Sequence, residues 1–163
     1  MKKLRVLLII LLLIAVGCKK NSVTLDEFIE VARFNGYYIE ENKTGYESYD
    51  YISDIYYAVN RENAYDVQFL KLESSETAKK FFLLNVNEIK NNLTTEDYIK
   101  SKSLSNYELY HAENESTYYL VIRSKENIIY ISAPINYINE IEEFLEELDL
   151  EYWGEVWEKQ EVN

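Results

Sequence analysis

YELYHAENESTYYLVIRSKENIIYISAP, residues 107–134, contains three runs rich in β-branched and aromatic side chains: Tyr107–His111, Thr117–Arg123 and Ile128–Ala133. A short polar segment separates each from the next, so they read as antiparallel strands joined in hairpins. Pro134 has no backbone N–H to offer a ladder and ends the third strand. Thr117–Arg123 is apolar on both alternating faces, with Tyr118, Leu120 and Ile122 on one and Tyr119 and Val121 on the other. Either helices cover both faces of this strand, or one aromatic face is left open to a partner.

Upstream the pattern recurs. Tyr56-Tyr57-Ala58-Val59 precedes Tyr118-Tyr119-Leu120-Val121 by 118 − 56 = 62 residues, and the same offset carries Val67 onto Ile129, Phe69 onto Ile131, Phe82 onto Phe144 and Leu83 onto Leu145. Two origins fit: a duplicated ββα element closing one antiparallel sheet, or two hairpin–helix segments that align by chance. Ile55–Val59 and Tyr65–Leu72 form the upstream hairpin, Tyr37–Glu40 a further strand, and Glu41–Asp54 a polar loop. Thr24–Glu27 has the spacing of a capping box and Val23 and Phe28 that of a hydrophobic staple, with Leu25, Phe28, Ile29 and Ala32 on one helical face and Gly36 as the stop. Ser74 or Ser75 caps a second helix bearing Ala78, Phe81, Phe82, Val86 and Ile89, followed by a polar loop over 91–105. Ile138, Ile141, Leu145 and Leu148 mark a third helix with an acidic outer face. The expected fold is α+β: a mostly antiparallel sheet packed with about three helices, in the order αβββαβββα.

The 163 residues leave room for one compact domain. One cysteine and one histidine exclude a disulfide framework, a thiolate metal cluster and any site needing several imidazoles, and 4 glycines leave no phosphate-cradling loop. We therefore expect no cofactor and no metal.

Met1-Lys2-Lys3-Leu4-Arg5 is a charged n-region, and the apolar run Val6–Val16 after it rises only about 17 Å as a helix, too short for a hydrocarbon core of about 30 Å. It reads as an export signal. Ala15-Val16-Gly17-Cys18 resembles the lipobox of bacterial prolipoproteins, in which the cysteine thiol is diacylglycerylated and the chain is cut just before it. Alanine at the third position before the cysteine is less usual there than leucine. A plain secretory signal with a bystander cysteine is the alternative, but acylation at Cys18 also disposes of a thiol that would otherwise stay reactive outside the cell. The resemblance implies residues 1–17 as a removed signal peptide, residues 18–23 as lipidated cysteine and short linker, and an extracytoplasmic membrane anchor. The α+β domain then covers residues 24–149, and residues 150–163 form an acidic tail.

Residues 1–17 hold three of the 17 basic residues and none of the 29 acidic ones, so processing takes the net charge from −12 to −15. Such a domain repels nucleic acid and anionic lipid, and its partners are neutral or cationic.

His111 is the one side chain with an unperturbed pKa near neutrality, but no Ser or Asp spacing singles it out as part of a triad, so a satisfied histidine is the plainer reading. Glu142-Glu143 and Glu146-Glu147 read as the solvated face of a helix, and Asp50–Asp54 lacks the central glycine and further ligands of a calcium loop. The three Asn-X-Ser/Thr triplets, at Asn42, Asn92 and Asn114, carry no weight in a bacterial lipoprotein. The 16 tyrosines suit an interaction surface, for which Tyr56, Tyr57, Tyr118 and Tyr119 are the candidates, although an AT-rich coding bias also explains a chain rich in Lys, Asn and Ile.

The expected function is a non-catalytic, membrane-anchored domain that binds a protein, peptide or envelope component. The alternative is a small envelope hydrolase using His111 and a carboxylate. Convergence of His111 and carboxylates in a cleft favours the hydrolase, and an open aromatic sheet face favours the binder. In the tail, Leu150, Trp153, Val156 and Trp157 recur at helical spacing, and fold-back burial of Trp153 with partial cover of Trp157 is expected.

Overall fold

The computed structural model describes residues 22–62, 64–94 and 98–150, leaving aside the side chain of Tyr98. The lipobox and the two tail tryptophans lie outside these residues.

Helix α1 (Leu25–Phe34) begins where the capping box places it: Thr24 Oγ1 accepts from the Glu27 N–H at 3.3 Å, and the Glu27 carboxylate accepts from the Thr24 N–H at 2.8 Å. It ends in a Schellman turn. Gly36, at φ +76°, donates to the Arg33 carbonyl, and Tyr37 donates to that of Ala32. Strands β1 (Tyr38–Glu41), β2 (Ile52–Val59) and β3 (Asp66–Leu72) follow, then helix α2 (Ser75–Asn91), capped by Ser74. Strands β4 (Tyr98–Leu104), β5 (Tyr107–Glu113), β6 (Thr117–Ser124) and β7 (Asn127–Pro134) lead through a short 3-10 turn (Ile135–Tyr137) into helix α3 (Ile138–Glu147).

The seven strands form one sheet in the order β1-β2-β3-β7-β6-β5-β4, with every neighbouring pair antiparallel. The fold is thus α+β as expected, but the order is αβββαββββα. Residues 98–104 are an edge strand rather than part of a polar loop. Their sequence, YIKSKSL, alternates lysine and serine, which blunts an exposed edge and hides the strand from a reading based on apolar periodicity.

Helices cover both faces. Phe28 and Ala32 of α1 and Ile141, Phe144 and Leu145 of α3 pack on the face carrying Val67, Phe69, Leu120 and Ile131. Ala78, Phe81, Phe82, Val86 and Ile89 of α2 pack on the other, against Ile55, Leu70, Val121 and Ile128. The result is a three-layer sandwich, which explains why the central strands read as apolar on both sides.

The internal repeat extends only as far as the hairpins. At the β3–β7 seam Val67 faces Ile131 and Phe69 faces Ile129, two pairs that exchange under the 62-residue shift, as a two-fold axis normal to the sheet requires. The helices break this symmetry. Such an axis would keep both on one face, whereas α2 and α3 lie on opposite faces, so Leu83 is 47% exposed while its counterpart Leu145 is fully buried.

Candidate functional site

The four candidate tyrosines do not share a surface. Strand alternation sends Tyr56 and Tyr118 to the α1/α3 face, where Tyr118 is fully buried and Tyr56 half-buried against the core. Tyr118 is therefore removed from any contact surface. Tyr57 and Tyr119 lie on the α2 face, both half-buried.

Around these two the sheet assembles a cup of polar and aromatic groups beside α2. Tyr57 of β2 is opposite Gln68 of β3, and Gln68 is opposite Tyr130 of β7, which makes one row across three strands. Asp66 sits two residues before Gln68 and so on the same face, while Tyr119 is paired with Ser132 in the neighbouring strands. Tyr46 reaches over the row from the loop between β1 and β2. Its hydroxyl donates to Gln68 Oε1 at 3.1 Å, and its ring lies 6.3 Å from that of Phe81 in α2. Glu88, on the outer surface of α2, faces the same group.

The electrostatics follow from burial in acidic company. Desolvation holds the Asp66 carboxyl above the usual aspartate range, partly opposed by a hydrogen bond from Gln68. Tyr46 is pushed up to about 12 by burial first and then by Tyr57, Tyr130, Asp66 and Glu88. Tyr57 is raised by burial first and then by Asp66 and Glu47, and Tyr130 by burial first and then by Glu88, with Tyr119 and Asp66 adding to the rise and a hydrogen bond with Ser132 opposing it. All three phenols are neutral donors and acceptors at neutral pH. Asp66 Oδ1 is buried without a hydrogen-bond partner. An unsatisfied acceptor of this kind calls for a donor.

Sequence reasoning missed Tyr46, Asp66, Gln68 and Tyr130. The available signal was Asp66-Val67-Gln68-Phe69, where polar residues alternate with apolar ones and share a face with Leu70 and Leu72.

His111 lies on the α1/α3 face. Its ring is 4.9 Å from that of Tyr118, and its Nε2 is 3.5 Å from Glu113 Oε1. Desolvation, with help from the Lys100 charge, brings its pKa down to about 4. Glu113 is raised, by burial first and then by Glu142 of α3. Glu142 thus turns toward the sheet, not outward with Glu143 and Glu146. Both members of the contact shift toward their neutral forms, so at neutral pH the imidazole is uncharged, and its Nε2 is covered by packing.

Two further clusters surround the core. Arg123, 1% exposed, donates to Glu108 Oε2 at 2.5 Å, Ser75 Oγ at 3.1 Å and the carbonyls of Lys125 and Ser105, tying the start of α2 to the end of the sheet. At the opposite end a cleft of about 320 Å³ is lined by Asn35, Tyr37, Asn60, Arg61, Glu62, Glu140 and Glu143. The Tyr37 and Tyr65 hydroxyls bond to each other behind it, and Tyr65 donates on to Glu140 at 2.8 Å.

No family model, curated protein or solved structure matches this chain.

Among the described residues no group of three or more His, Cys, Asp and Glu side chains is placed to hold a metal ion. What the Tyr46–Asp66–Tyr130 cup can do chemically is accept hydrogen bonds and face a cation with aromatic rings.

Proposed function

We propose that this chain is a lipid-anchored extracytoplasmic lipoprotein, held to the membrane by a diacylglyceryl group on Cys18, whose acidic domain binds a neutral or cationic protein, peptide or envelope partner without catalysing a reaction. The observation that carries the binding half is the half-exposed row of Tyr57, Gln68 and Tyr130 across three strands of the α2 face, with Tyr46 bonded to Gln68 and an Asp66 carboxyl oxygen on the same face that no protein donor serves. A hydrolase built on His111 would need its substrate to reach an Nε2 that packing covers, and we do not adopt it.

The anchor half rests on the lipobox and on the lone thiol. Two or more acyl chains hold a protein on a bilayer for long periods, where one gives only marginal binding. Cys18→Ser should abolish incorporation of labelled fatty acid and move the protein from the membrane to the soluble fraction. Persistence of both labelling and membrane association in that variant refutes the anchor.

A further inference from the structure

We infer that the cleft between the end of α1, the β2–β3 turn and α3 binds one pyranose ring of an amino sugar. This goes beyond the binding role proposed above, because the floor of the cleft, Tyr37 and Tyr65, belongs to the α1/α3 face and not to the face of Tyr57, Gln68 and Tyr130. The polar groups that line it are tied to the frame by one atom and keep another for a ligand. Asn60, 4% exposed, accepts on Oδ1 from the backbone N–H groups of Ala64 at 2.7 Å and Tyr65 at 3.3 Å, so its NH2 end is the one left to the cleft. Asn35 is fixed the other way round: its Nδ2 donates to the Val31 carbonyl at 3.0 Å and to Glu147 Oε2 at 2.7 Å, which leaves Oδ1 as an acceptor. Arg61 lies along Gly36, with Nε donating to the Gly36 carbonyl at 3.4 Å, and its terminal nitrogens remain donors. On the acidic side Tyr137 donates to Glu62 Oε2 and Tyr65 to Glu140 Oε1 at 2.8 Å, so each carboxylate keeps one oxygen, and Glu143 adds a third carboxylate. Since the Tyr65 proton goes to Glu140, the 2.5 Å bond between the two buried phenols is donated by Tyr37. Burial above all holds both phenols above their ordinary range, so this floor keeps its protons at neutral pH.

That set of donors and acceptors selects the ligand. Donors from Asn60 and Arg61 and acceptors from Asn35, Glu62, Glu140 and Glu143 line one cavity of about 320 Å³, near the lower end of the roughly 300–1,000 Å³ usual for small-molecule sites. A lone cation serves only the acceptors, and among the described residues no three acidic side chains converge as metal ligands do. An anion, or the carboxylate of a zwitterionic amino acid, meets three carboxylates against one guanidinium. A sugar hydroxyl gives one hydrogen and accepts on two lone pairs, so a ring bearing several of them serves donors and acceptors together. The excess of carboxylates over the guanidinium favours a ring that also carries an ammonium, whose charge-assisted hydrogen bonds are the stronger ones. The mouth is open, because Arg61, Glu62, Glu140 and Glu143 are all exposed.

The test is titration of the full-length chain at pH 7 in a polyoxyethylene detergent, which contributes no sugar, followed by two-dimensional amide NMR. The probes are glucosamine, glucuronate as the ring of opposite charge, and cyclohexylammonium as a ring with the charge but no hydroxyls. Saturable shifts confined to the neighbourhood of Asn35, Tyr37, Asn60 and Glu140 are expected for glucosamine, with the other two at least tenfold weaker. Arg61→Met and Glu143→Gln, both at exposed positions, should each weaken glucosamine binding at least threefold. The inference is overturned if glucosamine does not saturate, if glucuronate or cyclohexylammonium binds as tightly, if both folded variants bind like the parent, or if the shifts map to the row of Tyr57, Gln68 and Tyr130. The mapping on the unmodified chain decides the matter even if a variant does not fold. Sugar binding by a chain that fails to associate with membranes would leave this inference standing and remove only the anchor.

Discussion

Replacing His111 with leucine isolates a buried titration whose cost falls between pH 7 and pH 5. The imidazole ionises with a pKa of about 4 in the fold against 6.5 as a free side chain, because burial penalises the charged form and Lys100 adds repulsion. A depressed folded-state pKa means that the unfolded chain takes up the proton first. The stability tied to a neutral His111 is therefore fully present above pH 6.5 and is lost progressively as the pH falls toward 4. Each pH unit in that window corresponds to about 1.4 kcal/mol, so the stability of the parent relative to His111→Leu should drop by about 2 kcal/mol between pH 7 and pH 5. Urea unfolding of both proteins at the two pH values measures this difference, and the change in the difference cancels whatever the substitution costs in packing. The imidazole Cε1 proton in the folded parent should titrate with a midpoint near 4. A relative stability that rises as the pH falls would mean that His111 protonates to form an ion pair with Glu113, and the desolvation argument would be wrong.

Arg123→Met leaves Glu108 buried beside a thioether and should cost about 3–5 kcal/mol in urea unfolding, while adding Glu108→Leu should recover a large part of the loss; a single variant within 1 kcal/mol of the parent would show that the ion pair is dispensable. Gly36→Ala places a Cβ at φ +76°, 2.0 Å from an Arg61 nitrogen, and should lower stability by about 1–2 kcal/mol, with an unchanged melting temperature as the contrary result.

Much of the frame was legible because it is local. The Thr24–Glu27 box, the Gly36 stop and the apolar stripe of α2 are set by neighbours within a turn or two, and the five stripe residues read from sequence are all buried. Strands β6 and β7 were equally plain, since their β-branched and aromatic side chains run on without a break over Thr117–Ile122 apart from Leu120 and over Ile128–Ile131, and β5 was marked by Tyr107, Leu109 and Tyr110. Strand β4 was not, because Lys100, Ser101, Lys102 and Ser103 give it no apolar face, and it is a strand only by virtue of pairing with β5. The cup was hidden for a related reason. Tyr57, Gln68 and Tyr130 meet only through the register of three strands, and Tyr46 joins them by a loop folding back against α2. No local period encodes such a meeting. Tyr118 is lost to the core through strand parity: adjacent residues in a strand point to opposite faces, so a Tyr-Tyr pair cannot offer both rings to one partner, and the ring of Tyr118 is the one that the α1/α3 layer buries completely.

The seam between β3 and β7 joins segments separated by roughly sixty residues of chain, and it lies at the centre of the sheet with each hairpin complete on its own side. A chain emerging from its amino end can form α1, β1, β2, β3 and α2 well before β7 exists. Until then the inner edge of β3, with Val67, Phe69 and Leu70 beside it, is an unpaired template. Folding is therefore gated by a late, long-range closure, and during that interval a second nascent copy presents the same hairpin edge. The near-symmetry that makes the seam register well is also what would let two amino-terminal halves zip together in place of one complete molecule, so the order of synthesis and the spacing between emerging chains become part of what secures a sheet closed within one chain.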